Sequence, residues 1–242
     1  MWILGFPYRA QELAQRMLTF APELGPSNRA NIPFFAAILY RNLKQERQLS
    51  IQIEQLVTAG NQFSMWLSIQ SGKVFRGWEL AHQGKLKEGI ALTQQGVDNF
   101  RQAGHTVFQT HRLAMLAEMQ LMAHHFKATQ TTLDEALSIS QEKGERFWDV
   151  EIYRLQGNLL LAQGAPATQA EQSYLHAITI AQQQGAKSLE LRATTALCRL
   201  LQPQGRSDEA YQALSQIYGW FTEGFDTYDL RVAQALLTEL SV

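Results

Sequence analysis

The residue types that could do chemistry are few and scattered along the chain. His124-His125 is the one histidine pair. Adjacent helical residues point ~100° apart at 3.6 residues per turn, so the two cannot readily face one metal. His105 and His111 can be imagined beside them, but no HExxH or cysteine spacing supports a metal centre. Gly72-Lys73 is the nearest approach to a phosphate loop, whose G-x4-G-K-[ST] pattern lets successive backbone N–H groups cradle phosphates. Leu67 stands where the first glycine is needed and Val74 where the hydroxyl is needed. Cys198 is the single cysteine, and a nucleophile needs a base beside it; the spacing forces none. With no convergent acid/base or nucleophile set, the chain by itself reads as non-enzymatic, with no cofactor and no metal.

What organises these residues is a repeat. The turn segments LGFPYRA, LKQERQL, QGKLKEG, HHFKATQ, QGAPATQA and QGRSDEA align on Gly5, Lys44, Gly84, His124, Gly164 and Gly205, spaced by 39 to 41 residues. Seven residues earlier the aligned position holds Ala37, Gly77, Ala117, Gly157 and Cys198, all small. Three residues after each come Tyr40, Leu80, Gln120, Leu160 and Leu201. A small residue midway along one helix lets a second approach closely. A large residue three positions on shares that helix face and covers the seam. Glycine at the turn allows the positive φ that ends a helix. The result is a stack of helix–turn–helix units that bury their apolar faces against neighbours.

Armadillo and HEAT repeats also have periods near 40, but the spacing of small residues, Gly and Ala within each unit matches the tetratricopeptide pattern. The sequence therefore predicts an all-α fold: a right-handed α-solenoid of about five tetratricopeptide-like hairpins, a leading half-repeat and a C-terminal capping helix. Helices are expected over Pro7–Leu24, Asn28–Leu43, Gln45–Ala59, Asn61–Gln83, Leu86–Ala103 and His105–His125. They continue over Lys127–Lys143, Glu145–Gln163, Thr168–Gln184, Lys187–Leu201 and Ser207–Tyr218. The cap is Asp226–Leu240, opened by Asp226 or Thr227. Second helices are expected to end at Gly25, Gly60, Gly104, Gly144 and Gly185. No linker or low-complexity tract divides residues 1–242, which read as one domain.

Composition agrees. Of 242 residues, Leu (32), Ala (28) and Gln (28) are good helix formers. Apolar residues make up 45% and charged residues 18%, too apolar for disorder. The net charge of −1 argues against nucleic acid, whose binders show a basic excess. The longest apolar run, Ile32–Tyr40, is far short of the ~20 residues that span a bilayer, so no membrane is expected. One cysteine and no secretory pattern at Met1–Ala10 suit the cytoplasm. Trp2, Ile3 and Leu4 begin the chain as the last turn of a first helix. They predict that Met1 is internal to a longer protein or that the reading frame is truncated, and that this apolar edge favours self-association.

By register, the groove lined by first helices holds Asn31, Phe34, Arg41, Asn42, Ser71, Trp78, His82, His111, Glu118, Glu151, Arg154, Asn158, Arg192 and Arg199. Trp66, Phe147, Trp148, Trp220 and Phe221 read as plugs between hairpins, whereas Trp78, next to Gly77, is placed to face the groove. Arg154 and Asn158, one turn apart, resemble two members of a carboxylate clamp, but Ala196 stands where its next Asn would be. The partner expected in the groove is a protein or peptide, with an acidic segment favoured at the Arg154–Arg199 end.

The C-terminal half carries a family resemblance. GERFWDVEIYRLQGNLLLAQG (Gly144–Gly164), QQQGAKSLELRATTALCRLLQPQGRSDEA (Gln182–Ala210) and IYGWFTEGFDTYDLRVAQALLTEL (Ile217–Leu240) resemble the C-terminal tetratricopeptide region of bacterial class III adenylate/guanylate cyclases. There the region follows a cyclase domain and an AAA-type ATPase domain. The resemblance implies a scaffolding or regulatory module, whose partner could also be upstream domains of the same polypeptide. The alternative is a small-ligand-sensing α-solenoid like those of ATPase-type transcription regulators.

Overall fold

The computed structural model describes residues 1–241, which form twelve α-helices and no strand. They are α1 (Pro7–Phe20), α2 (Pro26–Asn42), α3 (Glu46–Gln62), α4 (Trp66–His82), α5 (Leu86–Gln102) and α6 (Gln109–Met122). Then come α7 (Phe126–Lys143), α8 (Asp149–Ala162), α9 (Ala167–Gln184), α10 (Lys187–Leu201), α11 (Ser207–Tyr218) and α12 (Tyr228–Leu240). The chain gathers into two compact units, residues 10–132 and residues 1–9 with 133 onward.

The repeat register holds at every turn. Gly5, Lys44, Gly84, His124, Gly164 and Gly205 all have positive φ, from +55° at Lys44 to +87° at Gly5 and Gly84. After five of them the next amide reaches back to the residue three beyond the small one. Gln45 N–H donates to the Tyr40 carbonyl and Lys85 N–H to Leu80, both at 2.9 Å; His125, Ala165 and Arg206 repeat the bond to Gln120, Leu160 and Leu201. This closure satisfies carbonyls that a helix end leaves open. Ala37, Ala117 and Cys198 are wholly buried, as their size demands.

In residues 10–132, α2 packs on α3 and α4 on α5, while α2, α4 and α6 touch in succession. The core holds Tyr40, Leu49, Ile53, Leu56, Phe75, Trp78, Phe100 and Met115. In the other unit α8 packs on α9 and α10 on α11, and α10 touches both α8 and α12. Its core is Tyr174, Leu191, Leu197, Leu214, Ile217, Phe221 and Leu236 with their neighbours. The first helices of consecutive hairpins are thus adjacent within each unit, which is what brings register-related side chains together.

Some boundaries differ from the sequence reading. Gly104, Gly144 and Gly185 take the left-handed conformation at helix ends, but Gly25 and Gly60 do not. Gly25 opens α2 at φ −63°. Gly60 lies inside α3, where a Cβ would stand 2.9 Å from Ile69 Cγ1 and 3.1 Å from its backbone nitrogen. Glycine is there for close approach of α4, and Ser64 (φ +53°) turns the chain instead. Hence α4 begins at Trp66 rather than Asn61. Likewise α6 begins at Gln109, because Phe108 is held at φ +59°.

The expected bare N-terminal edge is partly covered. Met1 and Leu4 are exposed, but Trp2 is only 7% exposed. Ser188 covers the segment, donating from its amide to the Ile3 carbonyl at 3.1 Å and from its hydroxyl to the Trp2 carbonyl at 2.6 Å. Of the expected aromatic plugs, Trp148 and Phe221 are buried, while Trp66, Phe147 and Trp220 remain partly exposed. No described helix is long and apolar enough to cross a membrane.

Candidate interaction surface

In residues 10–132, the contact of α2, α4 and α6 assembles most of the register-selected side chains. Glu118 of α6 is the hub. Arg41 Nη2 donates to its Oε2 at 2.6 Å and Trp78 Nε1 donates to the same oxygen at 3.0 Å. Lys44 Nζ lies 3.6 Å from Oε1. The Trp78 indole is stacked by His82 at 3.7 Å between ring centroids. The Lys44 ammonium and Arg41 guanidinium lie 4.8 and 5.2 Å from the indole centroid, within cation–π range. Two cations thus share one carboxylate on an aromatic platform.

Burial divides this group. Trp78, Asn42 and His111 are about 1% exposed, so they belong to the core rather than an open groove. Trp78 is covered because its ring is the surface on which Arg41, Lys44 and His82 pack. Asn42 Nδ2 donates to the Ile38 carbonyl at 2.8 Å. What solvent reaches is the rim: the Lys44 side chain is 29% exposed and that of Glu118 19%, against 9% for Arg41. His82 is half-buried, and its Nδ1–H donates to the Trp78 carbonyl at 3.0 Å. Burial, aided by Lys44 and Arg41, lowers the His82 pKa. Burial holds His111 well below the ordinary histidine range, with Arg41 and Arg112 adding to the effect. Both shifts favour the neutral imidazole.

Phe34 meets Phe35, Phe75 and Phe108 edge-on, with centroids 5.2–5.8 Å apart. Beside it is a hollow of about 10 Å³ lined by Phe34, Ser71, Val74, Phe75, His111 and Arg112, enough for one water. Asn31 is exposed on α2.

The second unit gathers a different set. Arg154 Nη2 donates to Glu151 Oε2 at 2.8 Å, and Arg192 Nη1 lies 3.8 Å from Glu151 Oε1. Arg192 Nε donates to Asp229 Oδ2 at 2.8 Å, and its guanidinium lies 4.8 Å from the centre of the Trp2 ring. Asn158 Oδ1 accepts from the Tyr174 hydroxyl at 2.7 Å. Arg154 and Asn158, the two residues that resemble a carboxylate clamp, are thus each engaged by a neighbour within the unit. Arg199 is exposed on α10.

Gly72-Lys73 lies within α4, with Gly72 packed toward Val57, so no loop exists there to wrap a phosphate. Cys198 is fully buried, its thiol donates to the Ala210 carbonyl at 3.2 Å, and burial pushes its pKa up to about 12. Among the described residues no group of three His, Cys, Asp or Glu is placed to hold a metal.

Lys44, Asp229 and Trp2 escaped the register. Lys44 occupies the turn position, where the pattern asks only for positive φ. Asp229 lies on the cap, beyond the last repeat. Trp2 precedes the first small residue.

No protein-family model matches the chain. An uncharacterised protein of Rhizobium meliloti (strain 1021) is 24% identical over 202 residues, 83% of this chain but 20% of that protein. The chain thus spans about a fifth of that relative's length. Among solved structures, one of nearly identical TPR-like repeats from a kinesin light chain-like protein of Podosopora anserina aligns with a TM-score of 0.54. It is 16% identical and covers 88% of this chain and 98% of its own. A second structure of those repeats aligns at 0.53, also 16% identical, over 81% and 95%. The fold is that of TPR-like repeats. At such identity the likeness concerns the fold alone.

Proposed function

We propose that this chain is a non-catalytic protein-interaction module whose binding face is the Lys44–His82–Glu118 rim over Arg41 and Trp78. The observation that carries this is the convergence of two cations and an indole N–H on Glu118. An aromatic floor, two cations beside it and a half-open rim suit a protein segment bearing carboxylates. Such a segment would pair with Lys44 while Glu118 keeps Arg41 in place.

The module's context is a larger cytoplasmic signalling protein of the cyclase/ATPase kind. The resemblance of Gly144–Gly164 and Ile217–Leu240 to that family supports this, as does a relative in which the matching stretch is a fifth of the length. The partner is then a separate protein or an upstream domain of the same polypeptide. The alternative is a small-ligand-sensing α-solenoid, which would take its ligand in a pocket of drug-like size.

Selection of a displayed library of acidic twelve-residue peptides tests the reading. Enrichment by the wild-type chain that disappears with Lys44→Glu supports it, and enrichment indifferent to Lys44→Glu overturns it. A metabolite that raises the melting temperature by several degrees, with no peptide selected, would replace it with the sensor reading.

A further inference from the structure

The segment Trp2–Arg9 is held by the second unit through a run of residue-specific contacts. The Ser188 amide, in the first turn of α10, donates to the Ile3 carbonyl, so a helix N-terminal donor is satisfied by distant main chain. The Ser188 hydroxyl holds the Trp2 carbonyl. Gly5, at φ +87°, lies against Trp220 so closely that a Cβ would overlap its ring and stand 3.0 Å from Lys187 Cβ. Phe6 packs on the same indole, centroids 5.4 Å apart. Pro7 fits against Gly224 (φ +80°), where a Cβ would overlap the proline ring.

Two polar contacts complete the register. The Tyr8 hydroxyl donates to Asp226 Oδ1 at 2.8 Å. The Arg9 amide donates to Glu223 Oε1 at 3.0 Å, and its Nε lies 3.2 Å from Oε2. Backbone bonds, a small residue matched to a ring, an apolar stretch and a polar rim are features by which a surface reads a turn-forming peptide. The contacts of Tyr8 and Arg9, in the first turn of α1, form the solvent-exposed rim of this arrangement.

We propose that Ser188, Trp220 and the Glu223–Asp226 loop form a peptide-recognition seat, occupied in this chain by its own residues 2–9. The partner it fits is a segment of the same pattern: Trp, Gly three residues on, then Phe-Pro, an aromatic hydroxyl and a basic residue. Such a partner competes with the tethered segment, which the chain presents at high effective concentration.

The test uses the full chain and a fluorescent peptide MWILGFPYR. Trp2→Ala with Phe6→Ala weakens the tethered occupant, helix content being checked by circular dichroism. The released chain is expected to bind the peptide at least about tenfold more tightly than the wild type, in which the seat is filled. A Gly5→Val peptide should not bind, nor should the wild-type peptide bind the released chain carrying Gly224→Ala. Absence of binding by a helical released chain, or equal binding of the Gly5→Val peptide, overturns the proposal. If the double variant loses its helices, hydrogen exchange at the Ser188 amide of the wild type decides: millimolar peptide should slow it, and unchanged exchange overturns the proposal. A concentration-dependent wild-type dimer that the peptide dissolves would put a second copy's segment in the seat and overturn occupancy within one chain.

Discussion

The backbones of Gly77 and Gly89 meet where α4 crosses α5. A Cβ on Gly77 would stand 2.6 Å from the Gly89 carbonyl oxygen, and one on Gly89 would stand 2.8 Å from the Ala81 nitrogen. Thr93 completes the contact, its hydroxyl donating to the Val74 carbonyl at 3.3 Å. The seam is built for two hydrogens, not two methyl groups. Gly77→Val is expected to force the helices apart and destabilise the chain by about 1–3 kcal/mol, read as a lower urea midpoint. An unchanged midpoint would mean the crossing is loose.

His124 occupies the position where four other turns have glycine, yet its φ is +56°. A β-carbon in the left-handed region costs about 1–2 kcal/mol, part of which glycine returns through its freer unfolded chain. The exposed ring meets Phe126 edge-on. His124→Gly should therefore stabilise the protein by about 0.5–1 kcal/mol. A drop in thermal midpoint would show that the His124–Phe126 contact outweighs the backbone.

The turn register was legible because it rests on local physics: positive φ selects glycine, and a close crossing selects small residues. The same signals misplace Gly60, since glycine serves both purposes and sequence does not say which. The candidate site was legible as far as the face, because Arg41, Trp78, His82 and Glu118 share a register and do converge. It was not legible as to depth. Whether Trp78 projects into a groove or floors it depends on Arg41 and Lys44 folding over it, and those side chains come from another hairpin. Trp2 was misread because its cover, Ser188, is remote in sequence.

Glu118 accepts from Arg41, whose side chain is 9% exposed. Removing the carboxylate leaves a guanidinium that is costly to keep buried. Glu118→Gln is expected to cost about 2 kcal/mol. Adding Arg41→Met to it should restore part of that loss, because two well-packed neutral groups replace a broken pair. A double variant no better than Glu118→Gln would show that Trp78 and Lys44, not Arg41, depend on the carboxylate.

Cys198 sits at the small-residue position of its hairpin with a thiol pKa of about 12. The thiolate is the reactive form, so an aromatic disulfide reagent at pH 8 should leave the native chain unlabelled and modify it at the rate of unfolding. Prompt labelling in buffer would mean that α10 and α11 separate readily around it.

Stability should also fall on mild acidification, and the sign follows from His111 and His82. Burial lowers both pKa values below the unfolded value of about 6.5. Below pH 6.5 the unfolded chain binds protons that the folded chain refuses, so stability rises with pH up to that value and is lost as pH drops beneath it. Each histidine can contribute a slope of at most about 1.4 kcal/mol per pH unit. Asp149, whose carboxyl burial raises, acts in the opposite sense but nearer pH 4. Urea midpoints of the wild type should therefore decline from pH 7 to pH 5.5, and His111→Gln should flatten the decline. A variant as steep as the wild type would assign the effect to His82, whose stacking on Trp78 ties it to the rim that a partner would meet.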